Sequence, residues 1–247
     1  MGVSLTGIMD NPIMFSTEGL AELLVDLRKQ ALQTNKSMAK QLGIPASTAI
    51  TCIKPSGTVS QLVDSASGIH ARHSPYYVRT VRADNKDPVT QFMIDNGVPA
   101  EPDITQPEST TVFSFPFASP ANAVSRNDRT AIEQLELWLL YQRHWCEHKP
   151  SITVSVREHE WLEVGSWVYE HFNEVSGISF LPFSEHSYKQ APYQDCDKKD
   201  YLDLQKQMPS NLDWTRLVEY EKEDTTTGAQ DLACSAGVCE VVDIQAA

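Results

Sequence analysis

The chain has 247 residues, 41% hydrophobic and 9% aromatic, enough apolar material to bury a core in one large domain or two small ones. Its net charge of −13 argues against direct nucleic-acid binding, because neutralising a duplex needs clustered Lys and Arg; it leaves room for a nucleotide ligand, which needs one local phosphate site. No apolar run reaches the ~18 residues of a membrane span, and the N-terminal MGVSLTGIMDNP lacks a basic stretch followed by an apolar one, so neither a membrane partner nor a secretory signal is expected.

Val3-Ser4-Leu5-Thr6 reads as a buried strand, closed by Asn11-Pro12. From Thr17 to Leu42, Leu20, Leu23, Leu24, Leu27, Leu32, Met38 and Leu42 recur at roughly helical spacing, with Ser16 or Thr17 as cap and Gly43 and Pro45 as terminators. Thr48–Lys54 is a strand-like run cut off by Pro55-Ser56-Gly57. Tyr76–Val81 is a second strand, a short helix follows Asp87-Pro88 and ends at Asn96-Gly97, and Thr110–Phe117 is a buried strand. Asn127 or Asp128 caps a long helix to about His148, with Ile132, Leu135, Leu139 and either Trp138 or Gln142 inward and Pro150 as its stop.

Ser151–Val156 alternates as a strand, and Glu158–Val175 is helical with Trp161, Val164, Val168 and Phe172 on one side. Ile178–Phe183 is a strand, and helices follow at Asp200–Met208 and after Asp213. This alternation predicts an α/β fold with mostly parallel strands. From Glu219 onward apolar residues thin out, so residues 1–218 are expected to form the folded part and 219–247 a flexible tail.

Two motifs carry chemistry. Lys54-Pro55-Ser56-Gly57-Thr58-Val59-Ser60 follows a strand; Pro55 stops the strand and Gly57 lets a ligand approach the backbone. If a helix starts there, the amides of Gly57, Thr58 and Val59 and the hydroxyls of Ser56, Thr58 and Ser60 form an anion site. The same residues also suit a plain strand-to-helix turn capped by serine, and GxxxxGK[ST] is absent. The second motif is Cys234-Ser-Ala-Gly-Val-Cys239, near the C-terminus. Two cysteines with four residues between them on a mobile segment suit thiol–disulfide exchange better than half of a zinc site, since the tail holds no His and no other Cys pair. As a coil, residues 219–247 would span roughly 30 Å.

Lys54–Arg82 (KPSGTVSQLVDSASGIHARHSPYYVRTVR) closely resembles the adenosylcobalamin-dependent (class II) ribonucleotide reductases, in particular their monomeric ribonucleoside-triphosphate type. Gly177–Tyr193 (GISFLPFSEHSYKQAPY) resembles the C-terminal region of that family near its cobalamin pocket, and the CxxxxC tail resembles its C-terminal cysteine pair. The resemblance implies that the chain is the C-terminal part of a ten-stranded α/β barrel with a flexible tail. It implies that Pro55, Ser56, Gly57, Thr58 and Val59 hold substrate phosphates. It further implies that Cys234 and Cys239 re-reduce an active-site disulfide and are themselves reduced by thioredoxin. The activity implied is reduction of ribonucleotides, with triphosphates favoured, to deoxyribonucleotides, with adenosylcobalamin as cofactor.

The chain departs from that family in two respects. An Asn-Pro-Cys-Gly-Glu loop, whose cysteine carries the family's radical, is absent, as is a second cysteine pair. The expectation is therefore a fragment, inactive alone, that partners an N-terminal half of the same enzyme. A non-catalytic nucleotide-phosphate-binding or thiol-exchange module is the alternative. The five cysteines, three of them scattered singly, do not form a secreted disulfide framework, and a cytoplasmic location is expected. Cys52 reads as a small buried hydrophobe, and the acids beside Cys196 disfavour its thiolate. No metal site is expected: His144 and His148 share a helix spacing but lack a third ligand. Arg72, Arg79, Arg82, His70 and His73 are further phosphate candidates by charge and position.

Overall fold

The computed structural model describes residues 2–57, 59–183 and 188–222. In chain order the elements are β1 (Val3–Ser4), α1 (Pro12–Phe15), α2 (Leu20–Leu42), β2 (Thr51–Cys52), α3 (Val59–Leu62), β3 (Tyr76–Asp84), α4 (Pro88–Asp95), β4 (Ala100–Pro102), β5 (Thr110–Ala118), α5 (Ala131–His144), β6 (Ile152–Val156), α6 (Trp161–Glu170), β7 (Ile178–Pro182), β8 (Tyr193–Asp195) and α7 (Lys198–Gln207). They fall into two units, one of Met1–Tyr77 with Ala118–Ser187 and one of Val78–Phe117 with Tyr188–Ala247.

The first unit holds two parallel strand pairs. β1 and β2 pair with Val3 opposite Thr51, and β6 and β7 pair with Ile152 opposite Ile178. Each pair is joined through a helix, α2 in one case and α6 in the other, as parallel strands require. The Ile53 carbonyl accepts the Ser151 amide at 3.2 Å, so the carboxyl end of β2 meets the entry to β6. Leu20 and Leu24 of α2, Leu135, Trp138 and Leu139 of α5, Val154 and Val156 of β6, and Val164 and Trp167 of α6 share one core. Buried aromatics keep their polar tips bonded: Trp138 Nε1 donates to the Pro150 carbonyl at 3.0 Å, Trp145 Nε1 to that of Cys52 at 2.9 Å, and the Tyr141 hydroxyl to that of Met14 at 2.6 Å.

Several expectations change here. β1 is an exposed edge, with Val3 45% accessible, because among the described strands only β2 pairs with it. α2 starts after Gly19 at φ 69° without a side-chain cap, whereas Gly43 at φ 65° ends it as expected. α5 is capped by Thr130, not by Asn127 or Asp128. Thr130 and Glu133 form a reciprocal capping box, and Asp128 instead accepts from the Ser125 amide and hydroxyl. α6 turns Val164 and Trp167 inward but ends at Glu170, short of the expected Val175, and Phe172 beyond it is 72% accessible.

The second unit carries a sheet in the order β4-β5-β3-β8, with β4 antiparallel to β5 and Ala100 opposite Phe113. This pairing departs from the mostly parallel expectation, and the short β4 and β8 have no sequence signal of their own. Asp87 caps α4 through the Val89 amide at 2.8 Å. Buried Phe92 of α4 packs against Trp214 and, edge-on, Tyr220, with ring centroids 5.1 and 5.5 Å away. The Tyr220 hydroxyl also bonds Asp95 at 3.0 Å, so folded structure continues past residue 218 to these contacts.

A buried polar cluster ties this unit together. Asp103 accepts from the Thr105 hydroxyl and amide, the Gln106 amide and Arg82 Nε. Gln190, at φ 58°, donates to Glu101 and the Pro102 carbonyl and accepts the Ile104 amide. The Thr105 bonds lead in holding the Asp103 carboxyl well below its ordinary value of 3.8, against the opposing effect of burial, with Arg82 and the Gln106 amide assisting. A depressed carboxylate contributes stability above its unfolded value and loses it as pH falls through the folded one. Stability should therefore drop on acidification through and below the carboxylate range. Thermal melts in an acid series should show a shallower acid-side loss for Asp103→Asn, from a lower starting stability; an unchanged slope would contradict this.

Candidate functional site

The Pro55–Val59 turn sits at the carboxyl end of β2, where ligands of parallel α/β sheets gather. Pro55 ends the strand and α3 adds a single helical turn. The Ser56 carbonyl accepts from the Ser60 amide at 3.3 Å and from the Ser60 hydroxyl, which turns inward and is fully buried. Ser60 is thus a brace and not a ligand donor. Pro55, Gly57 and Val59 are exposed and Ser56 is half-buried. Thr58 lies outside the described residues, as do Cys234 and Cys239. A Cβ built on Gly57 meets nothing within 4 Å, so space is open on that side of the backbone.

The turn leans on the loop of residues 64–70. The Ser56 amide donates to Ser67 Oγ at 3.2 Å, and the Ser56 hydroxyl lies 3.3 Å from Ser67 Oγ and 3.2 Å from Thr6 Oγ1. Asp10 accepts the Ala66 amide at 2.7 Å and grips Arg72 with both oxygens, at 2.9 and 2.8 Å. Arg72 also donates to the Asp64 carboxylate at 3.0 Å, the Asp64 carbonyl at 2.6 Å and the Tyr77 hydroxyl at 3.2 Å. Despite the desolvation of its guanidinium, these bonds hold its pKa above the ordinary value.

Gly68 is where the loop touches the strand end. At φ 55°, an added Cβ would lie 3.1 Å from Ile53 Cγ2 and 3.2 Å from the Lys54 carbonyl. Gly68→Ala should therefore cost about 1–3 kcal/mol in urea unfolding, from left-handed backbone strain and the crowded strand end; a neutral result would contradict the close approach. His70 closes the loop on the far side. Its Nδ1 bonds the Ser67 carbonyl at 3.0 Å and its Nε2 accepts the Thr153 amide at 3.0 Å, which fixes the neutral Nδ1–H tautomer. Burial lowers its pKa further, so His70 is a neutral tie between loop and β6.

The other charged candidates are engaged elsewhere. Arg72 is only 4% accessible, Arg82 pairs with Asp103 at 2.7 Å, and Arg79 bonds Tyr193 and lies 4.8 Å over its ring. Sequence spacing missed Thr6, Asp10 and Ser67. They support the turn from 50–60 residues away or from an unremarkable loop, and no local pattern marks them.

Burial and nearby Cys52 push the Cys146 thiol up to about 12, and burial followed by Asp200, Asp197 and Asp195 raises that of Cys196. Cys52 is buried, as expected. α5 ends at His144, so His148 does not share its helix. Among the described residues no group of three or more His, Cys, Asp or Glu could hold a metal ion, and no helix is long and apolar enough to cross a membrane.

No family model matches the chain. It is similar to an adenosylcobalamin-dependent ribonucleoside-triphosphate reductase of Euglena gracilis, 31% identical over 206 residues, covering 81% of this chain and 28% of that protein. It is also similar to the protein of the same description from Lactobacillus acidophilus, 26% identical over 227 residues, covering 89% of this chain and 30% of that one. The chain thus spans about a third of the length of these curated relatives. A crystal structure of a B12-dependent (class II) ribonucleotide reductase superposes with a TM-score of 0.74 at 23% identity, over 90% of this chain and 35% of that one, which shows a shared mixed α/β fold. The described residues single out no surface for a corrin and no donor set for its cobalt; they bear on the phosphate turn.

Proposed function

From this homology to adenosylcobalamin-dependent ribonucleoside-triphosphate reductases, we propose that the chain is the substrate-phosphate-holding and electron-delivering part of such an enzyme. The complete enzyme reduces ribonucleotides, with triphosphates favoured, to deoxyribonucleotides, and adenosylcobalamin supplies the radical that starts the reaction. In this reading β1, β2, β6 and β7 belong to a ten-stranded α/β barrel. The sequence has no Asn-Pro-Cys-Gly-Glu loop, so a preceding part of the enzyme supplies the radical cysteine and this chain alone forms no product.

The observation that carries the reading is the open-faced turn at the carboxyl end of β2, within the segment that resembles the family. The amides of Gly57, Thr58 and Val59 hold the phosphates, with Pro55 and Ser56 shaping the turn. Gripping the phosphates fixes the ribose in place and so supplies orientation, not bond cleavage. Cys234 and Cys239 pass two electrons from thioredoxin to the active-site disulfide by thiol–disulfide exchange, becoming a disulfide in turn.

Gly57→Val separates the site from the fold. The space around its Cβ is empty, so stability should stay within about 0.5 kcal/mol of the parent. The added side chain blocks close approach of phosphate, so the KM for a ribonucleoside triphosphate in the complete enzyme should rise at least about tenfold, the loss of roughly one charge-assisted hydrogen bond. An unchanged KM would remove the turn from the site.

A further inference from the structure

Three hydroxyls lie behind the turn, and counting their protons fixes their directions. A hydroxyl has one proton to give and two lone pairs to accept with. Thr6 Oγ1 gives its proton to the Ala66 carbonyl at 3.0 Å and accepts the Gly68 amide at 2.9 Å. At its 3.2 Å contact with Ser56 Oγ, Thr6 can therefore only accept, so Ser56 donates. With the Ser56 proton committed there, the 3.3 Å contact between Ser56 and Ser67 must run from Ser67 to Ser56. Ser67 Oγ meanwhile accepts the Ser56 amide at 3.2 Å. The chain reads Ser67 to Ser56 to Thr6 to the Ala66 carbonyl, and every hydroxyl proton in it is used.

We infer that Thr6 and Ser67 are positioning residues for the phosphate turn, and that Ser56 shapes the turn from behind without donating to the phosphate. Both protons of Ser56, on its amide and on its hydroxyl, are held internally. The loop that presents Ser67 is itself fixed. Asp10 and Arg72 hold Ala66 and Asp64 on one side, and His70 bonds β6 on the other. The orientation of the Ser56 peptide is thereby set by residues 50 and 11 positions away in sequence. This inference rests on the phosphate reading of the turn.

The test is calorimetric titration of the reassembled enzyme with inorganic tripolyphosphate. Thr6→Val and Ser67→Ala should each weaken binding about 5- to 10-fold, the worth of one hydrogen bond, and Thr6→Val should also lower the melting temperature, because it leaves the buried Gly68 amide without its acceptor. Thr6→Ser, which keeps the hydroxyl, should restore the affinity; loss of packing alone would not be rescued by this smaller residue. Ser56→Ala should lose no more than Thr6→Val, and the two together should lose less than the sum, as members of one chain do. Parent-like affinity in Thr6→Val and Ser67→Ala would overturn the inference while leaving the phosphate reading in place. So would a Ser56→Ala loss far exceeding theirs, which would mark direct contact. No binding by the parent enzyme, or binding unchanged in Gly57→Val, would overturn the phosphate reading, and the inference with it.

Discussion

Replacing Cys234 or Cys239 with serine is expected to abolish repeated turnover of the complete enzyme with thioredoxin while leaving the first turnover intact. Thiol–disulfide exchange needs a thiolate to attack and a thiolate to leave, and a serine hydroxyl does neither. A pre-reduced enzyme already holds the electrons for one reduction, so a single-turnover assay should yield product in proportion to enzyme and then stop. A small dithiol that reaches the active site directly should restore part of the multiple turnover. Unimpaired turnover with thioredoxin in either variant would remove the tail from the electron path. The other three cysteines make poor substitutes: Cys52 is buried, and the thiols of Cys146 and Cys196 are pushed toward the protonated form.

Arg72→Leu is expected to be the most destabilising single change in the described structure. The guanidinium is buried and makes five hydrogen bonds, to both Asp10 oxygens, the Asp64 carboxylate and carbonyl, and Tyr77. Removing it strands the Asp10 carboxylate, whose side chain is only 15% accessible. Breaking a buried pair from one side typically costs about 3–5 kcal/mol, because the remaining charge is desolvated without compensation. Urea unfolding measures this directly. Arg72→Lys should recover only part of the loss, since an ammonium cannot reproduce the planar fork on Asp10. A cost near zero would mean that the loop of residues 64–70 is held by other contacts.

The periodic parts of the fold are readable from the sequence for physical reasons. α2 shows helical spacing, α4 is marked by its punctuating residues, and Gly43, Asp87 and Gly97 act as the predicted stops and caps. β6 alternates buried and half-buried residues, as its sequence does. The misreadings come from competing local chemistry. Asp128 is as good a cap as Thr130 in isolation, but it closes a turn with Ser125, and Glu133 completes the box for Thr130. β4 and β8 are three-residue strands that exist because longer neighbours pair with them, which no local window encodes.

The candidate site divides the same way. Gly57 and Pro55 announce a turn where a strand ends, and the resemblance to the reductases gives that turn a ligand. Arg72 reads from the sequence as a phosphate candidate by its charge and is a buried clamp instead. Its partner Asp10 lies 62 residues away, and so does Gly68 from Thr6, so the support of the turn is a product of tertiary packing alone.

The most direct test follows the backbone amides of Gly57 and Val59 by nuclear magnetic resonance while a ribonucleoside triphosphate is titrated into the reassembled enzyme. Saturable movement of those resonances, lost in Gly57→Val, is the predicted result. Resonances that stay fixed at nucleotide concentrations supporting turnover would place the phosphates elsewhere and contradict the account.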